Sequence, residues 1–189
     1  MSRLQVLAAN PRLALGALVT LLLAAGAVVG SGADFTATSA NPSNTFSSGT
    51  LTIGNSKAGT AVLSASNLRP NGAAQTGTVD IENTGSLSGN FTLVRGTVTN
   101  TDAGNPMSAK LNITVIDCGT FTGATPPSCS DGDEVTKYTG TLAAMGTTTL
   151  GSYNAGAKHR YEFRVALDSS ADDAYQGDSA TAAFDFNAA

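Results

Sequence analysis

The chain has 189 residues, 41% of them hydrophobic and only 13% charged, with a single His, two Cys, no Trp and a formal net charge of −4. That length fits one domain. Fourteen acids against ten bases, with no Lys/Arg cluster, argue against a nucleic-acid partner, and one His with two Cys leaves little metal or redox chemistry.

From the N-terminus, Leu13 to Val29 is an apolar run broken only by Gly and Thr20, behind a short segment carrying Arg3 and Arg12. This is the profile of an export signal, ending in the small residues Gly30, Ser31, Gly32 and Ala33. Residues 1–33 are therefore expected to be a signal peptide, helical in its apolar core and cleaved near Ala33; an uncleaved N-terminal anchor is the alternative. Loss of the leader removes two bases and no acids, leaving a net charge of −6. Contact with a membrane is expected only through the leader before cleavage, and the mature protein is expected outside the cell.

Residues 34–48 mix Ser, Thr, Asn and Pro with Phe35 and Phe46, and read as a flexible segment before the first strand. Residues 49–189 read as one β domain. Alternation marks Leu51 with Ile53, then Val79 and Ile81, Phe91 and Leu93, and Leu111, Ile113 and Val115; the run from Val62 to Leu68 is also read as a strand. The strongest pattern is His159 to Leu167, where Tyr161, Phe163, Val165 and Leu167 share one face and Arg160, Glu162 and Arg164 the other. Phe184 with Phe186 closes a set of about seven to nine strands, the number of a sandwich or jelly roll. A short helix within Leu142 to Met145 is the one helical expectation. Turn residues fall between these runs, at Pro70-Asn71-Gly72, Asn83-Thr84-Gly85, Asn100 to Pro106 and Asp131-Gly132. The predicted fold is all-β, a single antiparallel β-sandwich with jelly-roll-like connections and a thin, flattened core.

In an exported chain Cys118 and Cys129 are expected to pair, closing a loop that holds Gly119, Gly123, Pro126 and Pro127. A thiolate metal pair is disfavoured by the lack of a second Cys pair. The helical zinc-peptidase motif needs two His one turn apart, and only His159 exists. His159 shares the inward side of its strand and reads as a structural strand-end residue. Gly177-Asp178-Ser179 and Gly85-Ser86-Leu87-Ser88-Gly89 are weak matches to serine-nucleophile motifs, the second having Leu87 at the elbow. Asp131-Gly132-Asp133-Glu134 and the Asp172, Asp173, Asp178 loop could bind calcium weakly, but read first as solvated acidic loops. No catalytic residue, metal ligand or cofactor is assigned.

Three stretches together resemble the TasA and CalY (camelysin) family of exported bacterial matrix proteins. Asn44 to Ile53 is similar to its "TFxSGTLxL" segment. Asn67 to Gly72 and Val79 to Leu87 resemble its "NLxPG" turn and "NxGSL" strand exit, and Tyr161 to Leu167, Tyr175 to Ser179 and Phe184 to Phe186 its closing "YQGxS" and aromatic strand. The chain departs from the family in a shorter middle than TasA, in Asn71-Gly72 where Pro-Gly is usual, and in the Cys118/Cys129 pair. The resemblance implies a jelly roll, exported through a SipW-type signal peptidase, that polymerises into biofilm matrix fibres, alone or with other matrix proteins. The N-terminal segment of one subunit would add as a strand to the sheet of the next, with Asp34 to Phe46 as donor and Phe35 and Phe46 as pocket-filling anchors. Family members are also described as metallopeptidases; no zinc constellation here carries that activity, and it is not transferred. A camelysin-type secreted peptidase and a monomeric surface adhesin stand as the competing expectations.

Overall fold

The computed structural model of the protein describes residue 12, residues 15–20 and residues 47–189. Residues 1–46 and 47–189 are two separate units, and the described residues of the first are helical. The expected cleavage point at Ala33 and the anchors Phe35 and Phe46 lie outside the described residues.

The second unit contains β1 (Ile53–Asn55), β2 (Gln75–Asn83), β3 (Gly89–Asn100), β4 (Leu111–Thr120), β5 (Val135–Thr141), β6 (Thr147–Tyr153), β7 (Lys158–Leu167) and β8 (Ala180–Ala188). They form two antiparallel sheets, ordered β1-β2-β7-β4-β5 and β6-β3-β8, whose inner faces share one core. Side-chain alternation builds that core directly. In β7, Tyr161, Phe163, Val165 and Leu167 are buried while Arg160, Glu162 and Arg164 lie half-exposed on the outer face. Register carries the pattern across neighbours, since Val79 of β2 and Asp117 of β4 flank Tyr161, and Gly77 and Val115 flank Phe163. The second sheet answers with Phe91, Leu93, Leu150 and Tyr153, all buried. Each large apolar side chain so enclosed contributes about 1.5–3 kcal/mol.

The sheet order is that of a jelly roll with one strand displaced. In a complete jelly roll the second, seventh, fourth and fifth strands form one sheet, and the first, eighth, third and sixth the other. Here β2-β7-β4-β5 and β6-β3-β8 keep those neighbours, but β1 pairs with β2 instead of β8. Among the described residues, no strand takes the place beside β8.

Two sequence expectations are corrected. Val62 to Leu68 is not a strand: Asn67 takes a left-handed φ of 54°, and the preceding backbone lies over Gly77, where a Cβ would meet the Val62 carbonyl at 2.2 Å. Val62, Leu63, Ala65 and Leu68 still pack on the core, which explains their apolar run. Leu142 to Met145 is not a helix but a tight turn between β5 and β6, in which the amides of Ala144 and Met145 donate to the Thr141 carbonyl. The connection is too short for a helix, and Leu142 and Met145 are buried at the end of the sandwich. β5 and β6 lie outside the sequence expectations. β5 is an edge strand whose inner face offers little but Tyr138, and β6 breaks strict alternation at a bulge, where Phe91 faces Gly151 and Thr92 faces Thr149. That bulge brings Thr148, Leu150 and Tyr153 inward together.

Candidate functional site

Two of the three stretches that carried the resemblance meet in the structure. The amides of Thr84 and Ser86 donate to the carbonyls of Thr52 and Thr50, the Thr50 amide donates to the Ser86 hydroxyl, and the Thr84 hydroxyl bonds that of Thr52. The segment before β1 is thus clasped onto the β2–β3 turn. Close backbone approach makes Gly85 obligatory, because a Cβ there would sit 2.3 Å from the Thr50 carbonyl. Asn83, fully buried, fixes the turn: its Nδ2 donates to the carbonyls of Leu87 and Tyr153, and its Oδ1 accepts from the Gly85 amide. The clasp anchors the start of the sandwich at the end where β8 also finishes: Leu51 lies over Gly89, beside the Ala189 carbonyl.

The edge of β8 is the most distinctive feature of the fold. β8 pairs with β3 on one side and, among the described residues, with no strand on the other. Next to it runs a groove of about 710 Å³, bounded by Phe184, Phe186 and Asp185 of β8 and by Lys57, Val62 and Leu63 opposite. Phe184 and Phe186 are only half-buried, and Phe184 tilts against Phe163 at 4.9 Å between centroids. An edge that pairs on one side only, beside the half-buried Phe184 and Phe186, is what an incoming extended segment needs: the ladder supplies affinity, and side-chain contacts at alternate positions supply specificity.

The opposite flank is sealed by polar groups. Asp117, at the end of β4, is 7% exposed and lies 3.0 Å from His159 Nδ1 and 3.4 Å from Lys137 Nζ. Lys137 also donates to the Leu150 carbonyl of β6, joining the two sheets. The His159 ring stacks on Tyr153 at 4.3 Å, Tyr153 stacks on Phe91 at 4.2 Å, and the hydroxyls of Tyr153 and Tyr161 bond each other across the core. Burial pushes both phenols far above their ordinary range. Burial also raises the Asp117 carboxyl, but the His159 hydrogen bond, the Gly119 amide and the charges of His159 and Lys137 outweigh it and hold the group below its ordinary 3.8. His159 is thus engaged on an acid, and its inward place in β7 is as expected from alternation. Alternation from Leu111 also places Asp117 inward, a signal that a buried acid would need cationic partners here.

Cys118 and Cys129 are joined, with Cα atoms 4.7 Å apart, and hold a loop over the outer face of β4 where Ile116 and Cys118 are buried. Arg164 donates to the Cys129 carbonyl from β7. In the two acidic loops Glu134 accepts from the Gly132 amide and Asp172 from the Ala174 amide, whereas Asp178 accepts from the distant Thr101 hydroxyl at Oδ1 and keeps Oδ2 buried without a hydrogen-bond partner among the described residues. Among the described residues no group of three or more His, Cys, Asp or Glu side chains is placed to hold a metal ion. In the two serine-containing fragments, Ser86 serves the clasp, and Asp178 and the Ser179 amide bond Thr101.

The chain matches no protein-family model and no curated protein.

Proposed function

We propose that this protein is a secreted structural subunit of an extracellular matrix fibre, assembling when the N-terminal segment of one copy adds as a strand to the sandwich of the next. One observation carries the reading: a jelly-roll strand order in which β1 pairs with β2 and, among the described residues, no strand lies on the outer side of β8, along which a groove runs. The resemblance to the TasA and CalY family supports it, with Asp34 to Phe46 as the donor, a SipW-type peptidase releasing it at Ala33, and the protein itself or other matrix proteins as partners. The chemistry is backbone pairing and needs no cofactor. Among the described residues, β8 contains no Pro and no inward-pointing charge and no helix covers its edge; Asp185 is its one charged residue and lies on the exposed face.

The test is negative-stain microscopy with light scattering on the protein processed near Ala33, beside a version lacking Asp34 to Ser43. Filaments from the first and folded monomers from the second are expected. Normal fibres from the deletion overturn the donor assignment; monomers from both overturn the fibre reading and direct attention to glycan or surface binding and to a casein assay with and without chelator.

A further inference from the structure

β1 stops pairing at Asn55 with Ile81, and the Ser56 amide makes one last bond to the Asp80 carbonyl; from Gln75 to Val79, among the described residues, no strand lies beside β2 on that side. The chain then continues as Lys57 to Leu63, without a ladder, and forms the far wall of the groove whose near wall is β8. Its direction is the useful one. Leu51, before β1, lies by the Ala189 carbonyl at the end of β8; after a turn in which the amides of Ala58 and Thr60 donate to the carbonyls of Asn55 and Lys57, Val62 lies over Gly77, whose neighbour Phe163 packs on Phe184, so the segment as a whole runs opposite to β8, the sense that the first strand of a jelly roll requires.

We infer that Lys57 to Leu63 is a strap that moves across the groove, pairs with β8 and closes the edge within one molecule. The inference rests on the strand-addition reading only in making the strap a regulator of that site. The sequence explains why the strap rests open. Alternation puts Ala61 and Leu63 on one face and Thr60 and Val62 on the other, so either register on β8 turns one large apolar side chain to water. The irregular resting form packs both Val62 and Leu63 on the core but leaves the β8 ladder unmade. Ladder hydrogen bonds and apolar burial thus oppose one another, which is the condition for two states of similar free energy. A donor segment arriving from another copy would pair only with the open form, so closing the strap lowers its apparent affinity in proportion to the closed fraction.

Two substitutions in the full chain separate the states. Ala61 is exposed and its amide makes no backbone hydrogen bond among the described residues, so Ala61→Pro removes a ladder donor without breaking a bond of the resting form. Val62→Thr removes the register conflict, since Leu63 can then face inward while the hydroxyl-bearing side chain beside it faces water. Hydrogen exchange of the β8 amides that face away from β3, measured at a concentration where the chain is monomeric, is expected to be slowest in Val62→Thr, with wild type between, and about tenfold faster in Ala61→Pro. Equal exchange in all three overturns the strap. A fluorescent peptide spanning Asp34 to Phe46 is then titrated into each: tighter binding to Ala61→Pro than to Val62→Thr supports regulation of the site. Binding to none of them, with the exchange order intact, overturns strand addition and leaves the strap standing.

Discussion

The His159 imidazole presents Nδ1 to both carboxylate oxygens of Asp117, at 3.0 and 3.1 Å, across neighbouring strands β7 and β4. With Lys137 on the same carboxylate and Tyr153 stacked on the imidazole, this pair joins three strands of one sheet to the edge strand of the other. One flank of the sandwich is therefore shut by charge and aromatic stacking, whereas among the described residues β8 has no strand on its outer side.

Removing the carboxylate charge tests that closure. Asp117→Asn leaves Lys137 and His159 without their acid, and a loss of about 2–4 kcal/mol in urea unfolding at neutral pH is expected. Because the folded-state pKa lies below the ordinary 3.8, the carboxylate stabilises the fold fully above that value. The contribution is lost as pH falls through the depressed folded-state pKa. The difference between wild type and Asp117→Asn should accordingly shrink below about pH 4, and a constant difference down to the acid limit would contradict the linkage.

The clasp before β1 depends on a missing side chain. Gly85→Ala drives a Cβ against the Thr50 carbonyl and the Thr52 amide, at 2.3 and 2.8 Å, both backbone atoms that cannot rotate away. A loss of about 1–3 kcal/mol is expected from thermal denaturation. Gly146→Ala, where a Cβ would meet nothing within 4 Å, serves as the control and should change stability by less than about 0.5 kcal/mol.

Replacing both Cys118 and Cys129 by Ser should cost about 3 kcal/mol, because the link closes a loop with a sequence separation of 11 and restricts the unfolded chain. The same shift should appear when wild type is melted with and without reductant. Identical melts would mean that the thiols are not joined in the protein as made.

A charge on the open edge should separate folding from assembly. Ala183 is exposed on β8, so Ala183→Lys is expected to leave the melting temperature nearly unchanged while abolishing fibres, as edge lysines block strand addition. Fibre formation at the wild-type rate would exclude β8 as the acceptor.

Most of the core was legible in the residues. Tyr161, Phe163, Val165, Leu111, Ile113, Val115, Val79, Ile81, Phe91 and Leu93 are all buried, because a half-buried strand writes its inner face at every second position. The inward seat of His159 followed from the same alternation, and the pairing of Cys118 with Cys129 from there being two cysteines in a chain read as exported. β5 escaped because an edge strand needs few apolar residues, and β6 because the bulge at Gly151 shifts the period. The Val62 to Leu68 run misled because its apolar groups pack on the core without a ladder.

Local side-chain chemistry thus determined the class of fold, the faces of its main strands and the cross-link. Which strands become neighbours is decided by pairing between residues distant in the chain, and no local pattern records it. Only the tertiary structure gathers Asp117, Lys137, His159, Tyr153 and Tyr161 at one flank, pairs β1 with β2, and, among the described residues, leaves β8 with one strand neighbour beside Lys57 to Leu63.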